Sequence, residues 1–310
     1  MLHLAYMAEF PKKLQKKLSE RKAQNAFRRL PTPHNLMDFS SNDYLGLAKN
    51  EAIYADTFQL LLKKGISENG ASGSRLLTGN HSLYAELETR LCEFHAVESA
   101  LVFNSGYDAN LGFFSAVPQR GDFVFYDELI HASIRDGIKM GNAKSYKFKH
   151  NDLEDLKSKI LLSLQAESRS TDCEVYIVTE SVFSMDGDTP DLKAMSDFGK
   201  KEGYHLIIDE AHAIGVFGKN GSGIVQHMAI QDAIFARIVT FGKSIGAHGA
   251  AIIGSKALVD YLINFSRSFI YTTALSPHTI ATISSAYRYL GTQEGESTEG
   301  CYKIIFLVLN

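Results

Sequence analysis

Cysteine is scarce in this 310-residue chain. The three, Cys92, Cys173 and Cys301, lie too far apart to pair as zinc ligands or to frame a disulfide scaffold, which points to a reducing, cytoplasmic setting. No apolar run approaches the roughly 18 residues of a membrane helix, and the N-terminus carries Glu9, Lys12 and Lys13 where a signal peptide would be apolar. Neither sign of charge is in excess. Lys and Arg number 32 against 35 Asp and Glu, and the net charge of -3 gives no field to attract nucleic acid or an anionic membrane. There is no H-E-x-x-H, no paired C-x-x-C, no G-x-S-x-G elbow and no internal repeat. What is present is ordinary globular material, 45% apolar and 22% charged, long enough for one large domain or a large and a small one.

The first thirty residues read as a helix, with Leu14 and Leu18 four apart and Lys12, Lys13, Lys16 and Lys17 on the other side. Pro31 and Pro33 break it, and 38–47 is a polar, turn-rich entry loop. Short apolar runs at 100–103, 123–126, 145–148, 175–178, 206–208, 238–241 and 250–253 then alternate with helical spacing at 84–94, after 104–106, and at 133–140, 153–164 and 192–201. Strands alternating with helices predict an α/β fold with a mostly parallel sheet flanked by helices. The expected division is an N-terminal helix and entry loop (1–45), a major domain (46–290), and an atypical tail (291–310) that opens on a linker-like Gly-rich stretch.

In such sheets ligands bind beyond the carboxyl ends of the strands. The run 206–208 ends in Asp209-Glu210-Ala211-His212, letters that suggest the Mg²⁺ carboxylate of an ATP-driven enzyme. The phosphate loop this requires is missing: the nearest match, 237–244, has Arg237 where its first glycine should be and follows the acidic motif instead of preceding it. His205, Asp209 and His212 would share a face only on a helix, and their neighbours favour a strand, so they do not read as a metal site. Another combination uses all these features. Lys243 follows the strand 238–241 beside Gly242 and Gly246, whose small size would let a cofactor approach. A lysine shielded from water has a lowered pKa and can form a Schiff base. Asp209, at another strand end, can keep a pyridine nitrogen protonated. Asn104-Ser105-Gly106-Tyr107 opens a helix after a strand and offers N–H groups to a phosphate. Lysine, carboxylate and phosphate-binding turn together suit pyridoxal 5'-phosphate.

Seven stretches make this specific: SSNDYLGL (40–47), GASGSRLLTGNH (70–81), FNSGYDANLG (103–112), HASIRDG (131–137), TESVFSMDGD (179–188), IIDEAHAIGVFG (207–218) and TFGKSIGAHGA (240–250). In content and order the chain resembles the α-oxoamine synthases, pyridoxal-phosphate enzymes with an aspartate-aminotransferase-like major domain. SSNDYLGL and TFGK resemble the biotin-pathway branch, which condenses L-alanine with pimeloyl-CoA or a pimeloyl carrier protein. A glycine C-acetyltransferase-like branch and an inactive cofactor-binding remnant stay open as alternatives.

The resemblance implies roles residue by residue. Lys243 would carry the cofactor and shuttle the substrate proton. Asp209 would pair with the ring nitrogen, His212 with the ring hydroxyl, and His131 would stack on the ring. Ser184 and Thr240 would contact the cofactor, Thr240 on the phosphate side with Gly106 and Tyr107. Thr272 and Thr273 would reach the phosphate of a neighbouring subunit, making the site a property of a homodimer. Arg28 and Asn42 would lie near the substrate. The family also implies a small C-terminal domain bearing an arginine for the amino-acid carboxylate. Nothing after 290 matches it, so that domain is expected to be largely missing.

Overall fold

The structure, a computed structural model, describes residues 10–30, 37–166 and 172–292. The chain divides into two compact units, Met1–Ser40 and Ser41–Asn310. In the first, α1 (Lys12–Ala23) carries Leu14 and Leu18 as expected but buries no residue and is shorter than the thirty residues predicted. The second unit opens on the entry loop and α2 (Glu51–Lys64), capped by Asn50, whose side chain accepts from the Ala52 and Ile53 amides.

The remaining elements alternate. α3 (Ser82–His95) leads into β1 (Ser99–Phe103), α4 (Gly106–Ala116), β2 (Phe123–Asp127), α5 (Ala132–Met140), β3 (Lys144–Phe148) and α6 (Leu153–Ala166). Then come β4 (Val175–Glu180), α7 (Leu192–Glu202), β5 (His205–Asp209), α8 (Ile224–His227), β6 (Ala236–Thr240) and β7 (Ala250–Gly254). The described chain closes with α9 (Lys256–Phe265), α10 (Arg267–Ile270) and α11 (Pro277–Thr292). All seven predicted strands are present. Helix α2, the four-residue α8 and the three helices after β7 are additions to the sequence reading.

The strands form one sheet in the order β1-β7-β6-β5-β4-β2-β3. β7 runs antiparallel to both its neighbours, and every other pairing is parallel. Near-continuous apolar strands follow from burial on both faces, since β4 and β6 are buried at every position. Alternate residues face opposite ways: Ile207 packs with Phe113 and Ile134 of α4 and α5, whereas Leu206 and Ile208 pack with Ile160 and Leu192 of α6 and α7. The third cluster sets β1, β6 and β7 against Leu87, Ile280 and Tyr287 of α3 and α11.

One polar pair lies inside this packing. Arg237 and Glu210 are 2% and 0% exposed and meet at 3.4 Å. Arg237 also donates to the His95 carbonyl at 2.5 Å, and Glu210 accepts from the Val225 amide at 3.0 Å. Burial pulls both groups toward neutrality and their mutual attraction opposes it. The pair pins the segment after β5 against β6, one residue beyond Asp209.

Candidate active site

Beyond Thr240, at the end of β6, the chain turns back on itself. Ala247 donates to the Phe241 carbonyl and Gly246 to the Lys243 carbonyl, each at 2.8 Å. Gly246 has a φ of +67, and a Cβ there would lie 2.2 Å from the Ala48 nitrogen. Its small size therefore serves the close approach of the entry loop, and not a cofactor as the sequence suggested. Space is open at Gly242, where a Cβ would meet nothing nearer than 3.9 Å. Lys243 is half-buried between them. Burial lowers its pKa, and the negative charges of Asp209 and Glu180 partly restore it.

The Lys243 amine lies 2.5 Å from His212 Nε2, and the Tyr44 hydroxyl lies 2.7 Å from His212 Nδ1. Tyr44 in turn donates to Asn42 Oδ1 at 3.1 Å. Burial, with Lys243 and His131 nearby, pushes the His212 pKa down to about 3, so the ring is neutral at physiological pH.

Asp209 is 5% exposed at the end of β5. One of its oxygens accepts from the Ala211 amide and the other from Asn110 Nδ2 on α4, both at 2.9 Å. Asn110 Nδ2 also reaches Ser133 Oγ at 3.1 Å, and Ser133 Oγ lies 2.7 Å from His131 Nδ1. His131 caps α5, and its amide donates to Glu180 Oε1 at 2.6 Å. Burial lowers the His131 pKa, against the pull of Asp209. Glu180 moves the other way: burial, reinforced by Asp209, raises its pKa well above the carboxylate range. Among the described residues no cation lies within ion-pairing distance of Asp209, whose carboxylate is held instead by the Ala211 amide and Asn110.

The third group lies at the start of α4. Ser105 caps the helix by accepting from the Asp108 amide at 3.0 Å, which leaves the Gly106 and Tyr107 amides outside that bond. A Cβ on Gly106 would stand 3.5 Å from Thr240 Oγ1, so the helix start and the end of β6 border one small space. The Tyr107 ring is half-exposed and its hydroxyl donates to Asp136 Oδ2 at 2.7 Å. Asn104 Nδ2 donates to Thr272 Oγ1 at 2.9 Å and to the Thr273 carbonyl at 2.6 Å, which holds that loop beside the same turn.

Lys243, His212, Asp209, His131, Thr240 and Gly106 thus gather at the carboxyl ends of the strands, with Asn42 two hydrogen bonds further out through Tyr44. Ser184 is exposed on the turn after β4. Arg28 is exposed in the first unit. The tail at 293–310 lies outside the described residues, while 291 and 292 end α11 and carry it past the expected boundary. Glu180, Asn110, Ser133 and Tyr44 are part of the arrangement although no role was expected for them, and Asn104, expected only within the helix-opening turn, also ties in Thr272 and Thr273. All but Ser133 and Asn104 are polar residues inside mostly apolar or turn segments, which was the available signal.

Comparison with known proteins accounts for the arrangement. Residues 34–297 match the family model described as aminotransferase class I and II. An 8-amino-7-oxononanoate synthase of Emericella nidulans is 41% identical over 312 residues, covering 96% of this chain and 75% of that protein. The chain spans a smaller share, 61 to 62%, of Bacillus cereus relatives that are 42% identical. A solved serine palmitoyltransferase carrying pyridoxal phosphate superposes with a TM-score of 0.81 at 28% identity, covering 94% of this chain and 74% of that one. The 8-amino-7-oxononanoate synthase of Francisella tularensis gives 0.67 at 31% identity over 83% of this chain and 70% of that one. The residues present fit the cofactor of this fold: an amine of lowered pKa, a buried carboxylate lacking a cation, and open helix amides beside a threonine. The chain belongs to the class I and II aminotransferase family, within its α-oxoamine synthases, and has the pyridoxal-phosphate-dependent transferase fold.

Proposed function

We propose that the protein condenses L-alanine with a pimeloyl thioester, pimeloyl-CoA or its carrier-protein equivalent, to give 8-amino-7-oxononanoate, carbon dioxide and the free thiol. Pyridoxal 5'-phosphate, when bound, supplies an electron sink that makes the alanine Cα proton removable. Lys243 is the residue that holds the cofactor and then takes and returns that proton. Its lowered pKa leaves more free amine at neutral pH than an ordinary lysine has. Asp209 keeps a positive charge at the ring nitrogen, and His212 meets the ring hydroxyl. His131 positions the ring and the substrate from a helix start. The Gly106 and Tyr107 amides with Thr240 receive the phosphate. Ser184 completes the cofactor contacts. Asn42 and Arg28 serve the substrate.

The chemistry rests on one observation above others: a buried carboxylate held by neutral donors and an amine of lowered pKa at the ends of adjacent strands β5 and β6. The choice of substrates rests on kinship with 8-amino-7-oxononanoate synthases. In this reading two chains form a homodimer in which Thr272 and Thr273 of each reach the other's phosphate.

Supplying the protein with alanine, glycine or serine, each with pimeloyl-, acetyl- or succinyl-CoA, tests the reaction. Preference for alanine with pimeloyl-CoA is expected. Preference for glycine with acetyl-CoA would overturn the substrate choice and leave the cofactor chemistry intact.

A further inference from the structure

Asn42, Tyr44, His212 and Lys243 form an unbroken hydrogen-bonded file from the entry loop to the reactive amine. The distances are 3.1 Å from Tyr44 to Asn42 Oδ1, 2.7 Å from Tyr44 to His212 Nδ1, and 2.5 Å from His212 Nε2 to the lysine nitrogen. A tyrosine hydroxyl has a single proton, and a carbonyl oxygen such as Asn42 Oδ1 can only accept. With the proton on that bond, the Tyr44 oxygen must accept from Nδ1–H of His212. A neutral imidazole has one N–H, so Nε2 is left with its lone pair facing Lys243.

We propose that Tyr44 is a positioning residue which fixes the tautomer of His212, and that Asn42 sets the direction in which Tyr44 donates. The pair thereby decides whether His212 offers a lone pair or a proton to the amine and to the ring oxygen of the bound cofactor. His212 is buried, at 9% exposure, so water does not substitute for Tyr44. The groups around it agree with a neutral ring: Lys243 from the loop after β6 and His131 from the start of α5 both oppose a second ring proton. Asp209 and Glu180, from the ends of β5 and β4, act on Lys243. Burial raises the Tyr44 pKa, which keeps its hydroxyl protonated and able to fill its place in the file. The inference stands on the cofactor and on this chain's own hydrogen bonds, independently of which acyl donor is used.

Histidine-selective ¹⁵N labelling reads the tautomer in the cofactor-free protein, with His212→Gln used to assign the signal. The native chain is expected to show a protonated Nδ1 and a bare Nε2. Tyr44→Phe is expected to lose that single tautomer, and the pH midpoint of the visible band of bound pyridoxal phosphate is expected to move by about one unit. Asn42→Ala, at an exposed position, keeps Tyr44 but frees its proton, and is expected to move His212 toward the Nε2–H form. Should Tyr44→Phe fold, as judged by circular dichroism, yet leave both the ¹⁵N shifts and the band midpoint unchanged, the proposal is overturned. An unmoved tautomer in Asn42→Ala would overturn the role of Asn42, and would do so even if Tyr44→Phe failed to fold. Neither readout involves an amino acid or an acyl donor, so a failed substrate assay leaves this inference standing.

Discussion

Glu180 and Asp209 stand directly opposite each other in register at the carboxyl ends of β4 and β5, so two buried carboxylates share one end of the sheet. They have different partners. Asp209 is held by Asn110 and the Ala211 amide, while Glu180 accepts the amide that opens α5. Two like charges at close range cannot both be comfortable, and burial with Asp209 raises the Glu180 pKa.

Glu180→Ala should cost about 1–3 kcal/mol, because the His131 amide would lose its carboxyl acceptor at a partly buried helix start. Glu180→Gln keeps an acceptor and should cost much less. The variants also differ with pH. A carboxyl whose folded pKa lies above its unfolded one contributes stability that is fully present below the unfolded pKa. That contribution is lost as pH rises through the folded value. Native protein should therefore lose stability as pH climbs above the ordinary carboxylate range, and Glu180→Gln should flatten that decline. Urea unfolding across that range checks both; an equal decline in the two proteins would discount Glu180 as its source.

Lys243 should be the lysine that carries the cofactor. Its amine sits against His212 with a lowered pKa, beside a glycine that leaves room. Protein purified with pyridoxal phosphate should be yellow, and borohydride should fix the cofactor to the peptide containing Lys243. Lys243→Ala should lose the fixed label while keeping its fold. Recovery of the label on another lysine would remove the assignment.

The sequence carried the outline of this site because strand ends are legible: an apolar run followed by Asp209 or by Gly242-Lys243 marks where a strand stops and chemistry can start. Convergence was harder to see. Tyr44 and His212 are separated by 168 positions and Asn110 and Asp209 by 99, and no local pattern links them. Gly246 looked like room for a ligand because a glycine's neighbour is invisible in sequence, and that neighbour is the backbone of Leu47 and Ala48. Helix α11 was not read at all. Its buried face places Ser284 and Ser285 among Ile280, Ile283 and Tyr287, and these small polar residues interrupt the apolar spacing by which a helix is read.

The Arg237–Glu210 pair should be the costliest polar contact to break by halves. Glu210→Ala leaves a buried guanidinium without its anion and should destabilise by about 3–5 kcal/mol. Exchanging both residues for apolar ones of similar volume should cost less than the single change. Thermal melts of the single and double variants test this. A Glu210→Ala melt like that of the native protein would show that Arg237 is compensated by other groups, the His95 carbonyl among them.

Asp209→Asn separates charge from shape at the centre of the site. An asparagine oxygen can still accept from the Ala211 amide or from Asn110, so the fold around β5 and α4 should survive with little change in melting temperature. The negative charge is lost, and with it the electrostatic hold on a protonated ring nitrogen and the largest of the pulls that raise the Lys243 pKa. Removing one fixed charge or donor of this kind typically costs about 10²–10³ in kcat. Turnover of alanine with pimeloyl-CoA should fall by that order, while pyridoxal phosphate remains bound with a shifted visible spectrum. The Lys243 pKa, read from the pH dependence of its chemical labelling in the cofactor-free variant, should fall further below the ordinary lysine value. A variant that turned over normally would show that Asp209 orders Asn110 and Ala211 and does not serve the cofactor.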